Sequence, residues 1–325
     1  MDLITTYLGM RLPHPLIVGA GPLGDDLDTV MALEDAGASL LVLRSLFEEE
    51  ITGAQMDAFL NEETHSESFP EAETFAPDPL TPLGPDEYLE HLRLIKSAVN
   101  IPVMASLNGV TPGGWISYAK LLEQAGADGL ELHVFHAMSD MSTGAEDVER
   151  RTIETVRAVR ASVRIPIAVK LTPLLTAFAH FASQLDAAGA DGLVLFTRFH
   201  QVDIDVEEFE VVRTLSLSNE SDLALRLRGA AAIAGRVRSS IALTGGVHRG
   251  IDVIKATMAG AHATQLVSAL LRHGPEHLRT VLREIETWME EHEWSSLAEM
   301  RGNMSLQRVS NPSEYERMNL RRALR

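Results

Sequence analysis

Glutamate and histidine side chains that could do chemistry cluster in one short run, Glu131-Leu132-His133-Val134-Phe135-His136. Strand side chains alternate between two faces, so Glu131, His133 and Phe135 share the face opposite the apolar residues. A histidine changes charge near neutral pH and can act as a general base or contact a ligand. His136, just past the predicted strand, and His133, near its end, are therefore candidate catalytic residues. The alternative for His133 is a hydrogen-bonded core histidine.

Lys170 is a further candidate, because it follows Ala168-Val169 in a predicted strand and alternates to the interior side. Burying an ammonium group without an anionic partner is unfavourable. A ligand charge, a Schiff-base role or an ion pair with Glu131 would each satisfy Lys170. The sequence leaves these three interpretations open.

A glycine pair lies in the run Thr244-Gly245-Gly246-Val247, where a predicted strand ends and a helix begins. Backbone N–H groups and the helix dipole at such a turn favour an anion. The run therefore predicts a ligand that carries a phosphate. No metal site is predicted, because the spacing of four histidines that could be considered matches no compact motif: His133, His136, His200 and His248.

The elements that would position these residues follow a pattern that occurs four times. In each copy a predicted helix ends near Ala-Gly-Ala and a short apolar strand follows; the glycines are Gly37, Gly126, Gly189 and Gly260. Glycine adopts the positive φ of a helix C-cap without strain. Helices and strands therefore alternate along the chain.

Eight strand–helix units can be counted in this way. The strands are predicted near 15–20, 40–45, 102–107, 129–135, 166–171, 192–197, 240–246 and 263–269. The helices are predicted near 25–36, 86–99, 114–125, 146–162, 175–188, 223–236, 249–259 and 275–292. Short apolar strands alternating with amphipathic helices indicate a parallel sheet covered by helices. Eight units favour a single (β/α)8 TIM barrel, and an open doubly wound sheet is the alternative.

Several segments lie outside the repeat. Leu3 to Pro13 is predicted to form a hairpin that closes the barrel floor, and long loops follow strand two (Leu46 to Gly84) and strand six (Arg198 to Asp222). Long loops in compact domains are usually functional. We predict one barrel domain over residues 1–306. A helix is expected after Trp294, and a C-terminal tail over 307–325 is expected to be mobile or to contact another subunit.

Composition narrows the class of function. The chain is 45% apolar, carries a formal charge of −18 and contains no cysteine. The negative charge argues against nucleic acid and anionic membranes as partners. Without cysteine there is no thiol nucleophile and no thiolate ligand for a metal or an iron–sulfur cluster. No run is long and apolar enough to span a membrane, and the first residues lack a basic signal, so a cytoplasmic location is expected.

Taken in order, the strand ends resemble those of the dihydroorotate dehydrogenase family of FMN-dependent barrels. The likeness covers nearly the whole chain and is carried by the order and spacing of several runs. They are Leu8 to Leu16 leading into Gly19-Ala20-Gly21, Leu83 to Tyr88, Ser106 to Gly109, Leu130 to Leu132, Val169-Lys170, Thr244 to Val247 and Leu297 to Gly302.

The resemblance implies a set of FMN-binding residues. Gly245, Gly246 and Ser268 would hold the phosphate, with Val267 standing where the family usually has glycine, and Lys170 would lie at the pyrimidine edge of the flavin. The remaining residues of the set are Gly19, Ala20 and Gly21 along the ring, with Ser45 and Asn108 as polar contacts and Arg44 in place of the family's lysine after strand two.

The substrate side departs from the family. Where the family has Glu-Leu-Asn-Leu-Ser-Cys-Pro-Asn, this chain has Glu131 to Met138, without either asparagine, and Phe196 replaces the asparagine of strand six. A site that loses its hydrogen-bonding partners loses discrimination. We therefore expect a substrate other than dihydroorotate, more apolar toward Phe135, Met138 and Phe196, with His136 at the position of the family's base.

Three interpretations of function follow. The first is an FMN-dependent oxidoreductase acting on a CH–CH group of a small molecule, with hydride passing to flavin N5. The second is a family member that binds FMN but is catalytically silent or accessory, and the third is a phosphate-sugar lyase or isomerase without flavin. The resemblance also suggests a homodimer, and a separate protein could accept the electrons.

Overall fold

The barrel predicted from the repeat is closed. The computed structural model describes residues 1–48, 50–51, 84–109, 112–135, 140–197, 202–213 and 216–323. Within them, strands β3 (Leu16–Val18), β4 (Leu41–Phe47), β5 (Val103–Gly109), β6 (Gly129–Val134), β7 (Ile167–Leu171), β8 (Gly192–Leu195), β11 (Ser240–Thr244) and β12 (Ala263–Leu266) form a parallel barrel. The strand order runs β3 to β8, then β11, then β12, which pairs with β3. The (β/α)8 prediction is confirmed, and the open sheet is excluded.

Helices cover the outside of this barrel. They are α1 (Leu27–Asp35), α2 (Pro85–Ala98), α3 (Pro112–Gln124), α4 (Ala145–Ser162), α5 (Phe178–Ala188), α6 (Leu223–Ile233), α7 (Gly250–Ala259), α8 (Ser268–His273) and α9 (His277–Glu291). All four of the predicted helix-ending glycines have the expected positive φ, at 97° for Gly37, 99° for Gly126, 100° for Gly189 and 117° for Gly260. Apolar strand residues such as Leu130 and Leu132 pack between the strands and the helices. Burial of this layer is the main favourable contribution to folding.

A separate apolar cluster fills the barrel interior and its floor. The hairpin of β1 (Thr5–Tyr7) and β2 (Met10–Leu12) places Tyr7, Leu8 and Leu12 against interior residues of the barrel. A Cβ added to Gly192 would lie 2.4 Å from Leu8 Cδ2, so the missing side chain makes room for Leu8. The N-terminal hairpin therefore closes the floor, as predicted.

Some boundaries differ from the sequence prediction. The last of the eight predicted strands, β12, ends at Leu266 and not near residue 269, because Ser268 begins α8. The loop after strand six contains an antiparallel hairpin, β9 (Val202–Asp205) and β10 (Glu210–Arg213). Most of the loop after strand two, residues 52–83, lies outside the described residues.

The C-terminal segment contains two described α-helices, α10 (Leu297–Met300) and α11 (Pro312–Ala323). Arg228 Nε lies 3.0 Å from Glu316 Oε1, which joins α6 to α11. The division into a barrel domain and a tail stays a prediction. Within the described part of the chain, no helix combines the length and apolar content needed to cross a membrane.

Candidate active site

The carboxyl ends of the barrel strands border a cavity of about 2130 Å³. Pockets for one small ligand hold roughly 300–1,000 Å³, so there is room for more than one small molecule. Ten of the predicted site residues line it: Ala20, Gly21, Arg44, Ser45, Asn108, His133, Lys170, Gly245, Val267 and Ser268. Gly19 lies against Val267, and Gly246 follows Gly245 in one turn. His136 lies outside the described residues.

Glu131 is the centre of a polar cluster beneath the cavity. It is fully buried, and Lys170 Nζ donates to its Oε1 at 2.9 Å. Gln265 Nε2 donates to its Oε2 at 2.5 Å. The ion pair with Glu131 is one of the three interpretations of Lys170 made from the sequence. Tyr7 approaches from the floor: burial raises the pKa of its phenol well above the usual range, and the charge of Glu131 acts in the same direction.

Gln265 belongs to the site although it was not predicted from the sequence. Glu131 only accepts hydrogen bonds, so the amide nitrogen of Gln265 must face it, and the amide oxygen faces away. That oxygen is buried, lies 3.1 Å from where a Cβ of Gly19 would be, and has no hydrogen-bond partner among the described residues. Buried acceptors are nearly always paired. Gln265 Oε1 therefore marks a place for a donor supplied by a ligand. The signal in the sequence was a lone amide within an apolar strand.

The glycine turn after β11 presents backbone donors at the edge of the cavity. Gly245 and Gly246 are both left-handed, at φ 85° and 82°. A Cβ on Gly246 would lie 2.4 Å from the backbone nitrogen of Leu223, so only glycine fits there. The Gly246 N–H donates to Ser218 Oγ at 3.2 Å, and the Ser218 N–H donates to Ser268 Oγ at 2.9 Å. Ser218 and Ser268 accept these N–H groups and keep their own O–H hydrogens to donate, which suits a phosphate beside the turn.

Ser218 and Arg226 are further residues that sequence reasoning missed. Ser218 lies in a segment predicted as loop, and it lines the cavity beside the glycine turn. Arg226 is buried, and its Nε donates to the Thr244 carbonyl at 2.9 Å while Nη1 donates to the Asp222 carbonyl at 2.6 Å. An arginine on a helix usually indicates a solvated face. Here its guanidinium instead holds the strand end that precedes Gly245.

Across the barrel, the ends of β4 to β6 bring Ser45 and Asn108 of the predicted cofactor set close to His133 on the predicted substrate side. Ser45 Oγ and Ser106 Oγ lie 2.7 Å apart. Asn108 and His133 are neighbours in the register of β5 and β6, and both line the cavity. Phe135, half exposed, lines the same side.

Phe196 contributes the apolar character expected at the end of β8. It is 3% exposed, and its ring meets that of Phe178 edge to face, with centroids 5.3 Å apart. Edge-to-face pairs of this kind hold both rings in place. The amide that the family has at this position is thus replaced by a packed aromatic wall.

Histidine is a common metal ligand, and four histidines of the chain lie near the predicted strand ends and loops. His136 and His200 lie outside the described residues, and His248 does not line the cavity. Among the described residues, no group of three or more His, Asp or Glu side chains is arranged to hold a metal ion.

The architecture defines a (β/α)8 barrel whose candidate site joins a glycine turn to a buried Glu–Lys–Gln cluster. A family model described as Dihydroorotate dehydrogenase matches residues 70–289. The chain belongs to the dihydroorotate dehydrogenase family, as the order of its motifs predicted.

Its relatives include proteins with different substrates in their names. The chain is 27% identical over 315 residues to the dihydroorotate dehydrogenase B (NAD(+)) catalytic subunit of Methanothermobacter thermautotrophicus, covering 92% of this chain and 97% of that protein. It is 25% identical over 322 residues to the NAD-dependent dihydropyrimidine dehydrogenase subunit PreA of Escherichia coli K12, covering 93% and 76%. The names of these relatives denote oxidoreductases.

Proposed function

We propose that this chain is an FMN-dependent oxidoreductase that acts on a CH–CH group of a small molecule other than dihydroorotate. The observation that carries the proposal is the Glu131 cluster, which presents an ammonium donor on Lys170 and an unpaired carbonyl acceptor on Gln265 beneath one cavity. An imide edge such as that of a flavin offers both acceptors and a donor. The two side chains therefore match it in hydrogen-bonding type.

The fit for FMN extends to the rest of the proposed cofactor set. Gly245, Gly246 and Ser268 would hold the phosphate, and Ser218 adds a hydroxyl that the sequence did not predict. Gly19, Ala20 and Gly21 would lie along the ring, where side chains are small enough for close approach. Ser45 and Asn108 would contribute polar contacts. Val267 keeps its backbone N–H, so its side chain does not remove a donor.

In this proposal each group of the chain has a defined task. Bound FMN would supply a hydride acceptor at N5, which is the chemistry of the cofactor itself. Lys170, held by Glu131, would place a positive charge beside the reduced cofactor. His136, together with His133, would take the substrate proton at an imidazole nitrogen. The substrate would leave with a new carbon–carbon double bond.

The alternatives are less well supported. A Schiff-base lyase requires a neutral amine, whereas Lys170 forms an ion pair with Glu131 at 2.9 Å. A silent FMN-binding protein shares the cofactor residues and differs only in turnover. The relatives named as subunits favour a separate electron acceptor, since this chain has no cysteine for an iron–sulfur cluster.

The test begins with the visible spectrum of the purified protein after incubation with FMN and desalting. We expect flavin absorption at a stoichiometric level, and at least tenfold weaker FMN binding for Lys170→Met. The matched control is Lys120→Met, an exposed lysine on α3, which should bind FMN normally. Protein that stays colourless would refute the proposal. Flavin reduction by candidate substrates, lost in His136→Ala with FMN retained, would separate an enzyme from a silent relative.

A further inference from the structure

Arg44 lines the cavity near the end of β4, and two carboxylates lie beside its guanidinium. Arg44 Nε lies 3.4 Å from Asp25 Oδ1, and Nη1 lies 3.8 Å from Glu50 Oε1. Side-chain exposure is 22% for Arg44 and 13% for Glu50, so this pair is partly desolvated, whereas Asp25 is 42% exposed and stays in contact with water. The three side chains together carry a formal charge of −1.

The arrangement is held by the protein itself. The Phe47 N–H donates to Glu50 Oε2 at 2.8 Å, which leaves Oε1 facing the guanidinium. Tyr88 is buried, and its hydroxyl donates to the Arg44 carbonyl at 2.8 Å. Both anchors fix the backbone around Arg44. The Arg44 guanidinium is therefore paired with carboxylates of the protein before any ligand binds.

Asp25 also lines the cavity. Burial raises the pKa of its carboxyl group, while the positive charges of Arg44 and His91 act in the opposite direction. Drawing the Arg44 guanidinium away from Asp25 and Glu50 would deprive the more buried Glu50 carboxylate of this cation, which is unfavourable. A ligand carboxylate that recruited Arg44 would have to meet that cost.

Resting on the FMN-dependent function above, we propose that Arg44 is the structural partner of Asp25 and Glu50 and that the substrate is uncharged where it faces these three side chains. An incoming anion would meet the net negative charge of the three side chains. An uncharged amide or imide would not, and its N–H groups could donate to Asp25. The site therefore selects against acids, through like-charge repulsion built into the cavity wall.

The test compares orotate with uracil, which share a ring and differ by one carboxylate. Binding of each is measured by calorimetry with FMN present, for wild type and for Asp25→Asn/Glu50→Gln. We expect the double variant to bind orotate at least tenfold more tightly than wild type does, with uracil binding changed less than threefold. Glu146→Gln/Glu149→Gln, which removes two other carboxylates from the cavity lining, should change orotate binding less than threefold.

The expected gain in orotate binding must depend on the Arg44 guanidinium, which the Asp25→Asn/Glu50→Gln variant releases from its ion pairs. Adding Arg44→Gln to the Asp25→Asn/Glu50→Gln variant should abolish it, and circular dichroism of each variant verifies folding. A single Glu50→Gln variant, which keeps one ion pair, should show a smaller gain. The proposal is overturned if wild type prefers orotate, if the control pair gives the same gain, or if no variant gains orotate binding. FMN uptake, read from visible absorbance in the same samples, tests the proposed function separately.

Discussion

Replacing Glu131 with glutamine should destabilise the protein strongly, because it breaks a buried ion pair while keeping the shape of the side chain. At 2.9 Å and an effective dielectric constant of about 20, the Lys170–Glu131 attraction is about 6 kcal/mol before desolvation. Removing one partner of a buried pair typically costs about 3–5 kcal/mol. Lys170 is 14% exposed and can recover some hydration, so we expect about 3 kcal/mol.

The hydrogen bonds of Glu131 also predict a loss of stability in the Glu131→Gln variant. Glu131 accepts from Lys170 through one oxygen and from Gln265 through the other. A glutamine at position 131 has only one accepting oxygen, so its amide nitrogen would face a second donor. The Gln265 amide would then have to turn over, so that its oxygen faces the new amide nitrogen, and the original arrangement is lost in addition to the charge.

Urea unfolding of the FMN-free protein, followed by far-UV circular dichroism, would measure the loss. Glu154→Gln is the control, since Glu154 is 53% exposed and paired with Arg150 on the surface of α4; it should change stability by less than about 0.5 kcal/mol. The double variant Glu131→Gln/Lys170→Met should be more stable than Glu131→Gln alone, because no unpaired charge remains. A loss below about 1 kcal/mol for Glu131→Gln, or a double variant no more stable than it, would refute the reasoning.

Three further predictions follow from the described residues. Burial lowers the pKa of His14 and of His262 to about 4. Between pH 6.5 and 4 the unfolded chain therefore binds more protons than the folded one, so the free energy of unfolding should fall as the pH is lowered through this window. In urea unfolding at several pH values, His14→Asn/His262→Asn should flatten this dependence. A slope unchanged in the double variant would contradict this. Gly246→Ala should reduce FMN affinity more than tenfold, since the alanine would need φ 82° and its Cβ would overlap a backbone nitrogen. FMN titration followed by fluorescence quenching measures the affinity, and a wild-type value would contradict this prediction. Gly21→Ala should lower the free energy of unfolding by about 1–3 kcal/mol through overpacking, because its Cβ would lie 2.9 Å from Val267 Cγ1. Adding Val267→Ala should restore the stability in thermal unfolding. Additive effects of the two changes would show that the contact does not exist.

The glycine and valine pair illustrates what a resemblance can and cannot predict. Val267 stands where the family usually has glycine, and the sequence alone does not say what accommodates its side chain. In the structure, Gly21 lies against Val267 although 246 residues separate them in the sequence, and a Cβ added to Gly21 would lie 2.9 Å from Val267 Cγ1. Small and large residues on adjacent strands thus compensate, and only their packing reveals it.

Features of the fold that depend on neighbouring residues could be predicted from the sequence. Gly189 and Gly260 end helices because a left-handed residue costs glycine little. The alternation through Glu131 and His133 correctly separated the interior side from the apolar outer side, since strand geometry repeats every two residues. Segments whose structure depends on contacts elsewhere, such as the hairpin β9–β10 and helix α11, were not predicted with their bounds.

By itself, then, the sequence determined the order of strands and helices, the positions of the glycine turns and the family. These features depend on short-range periodicity and backbone preference, which act over a few residues. Only the tertiary structure decided that Lys170 pairs with Glu131, 39 residues away, and that Gln265, 134 residues away, completes the cluster. It also decided that Arg44 meets Asp25 and Glu50. Closure of the barrel brings these charges together, and pairing of buried charges is a property of distances in space that no local pattern specifies.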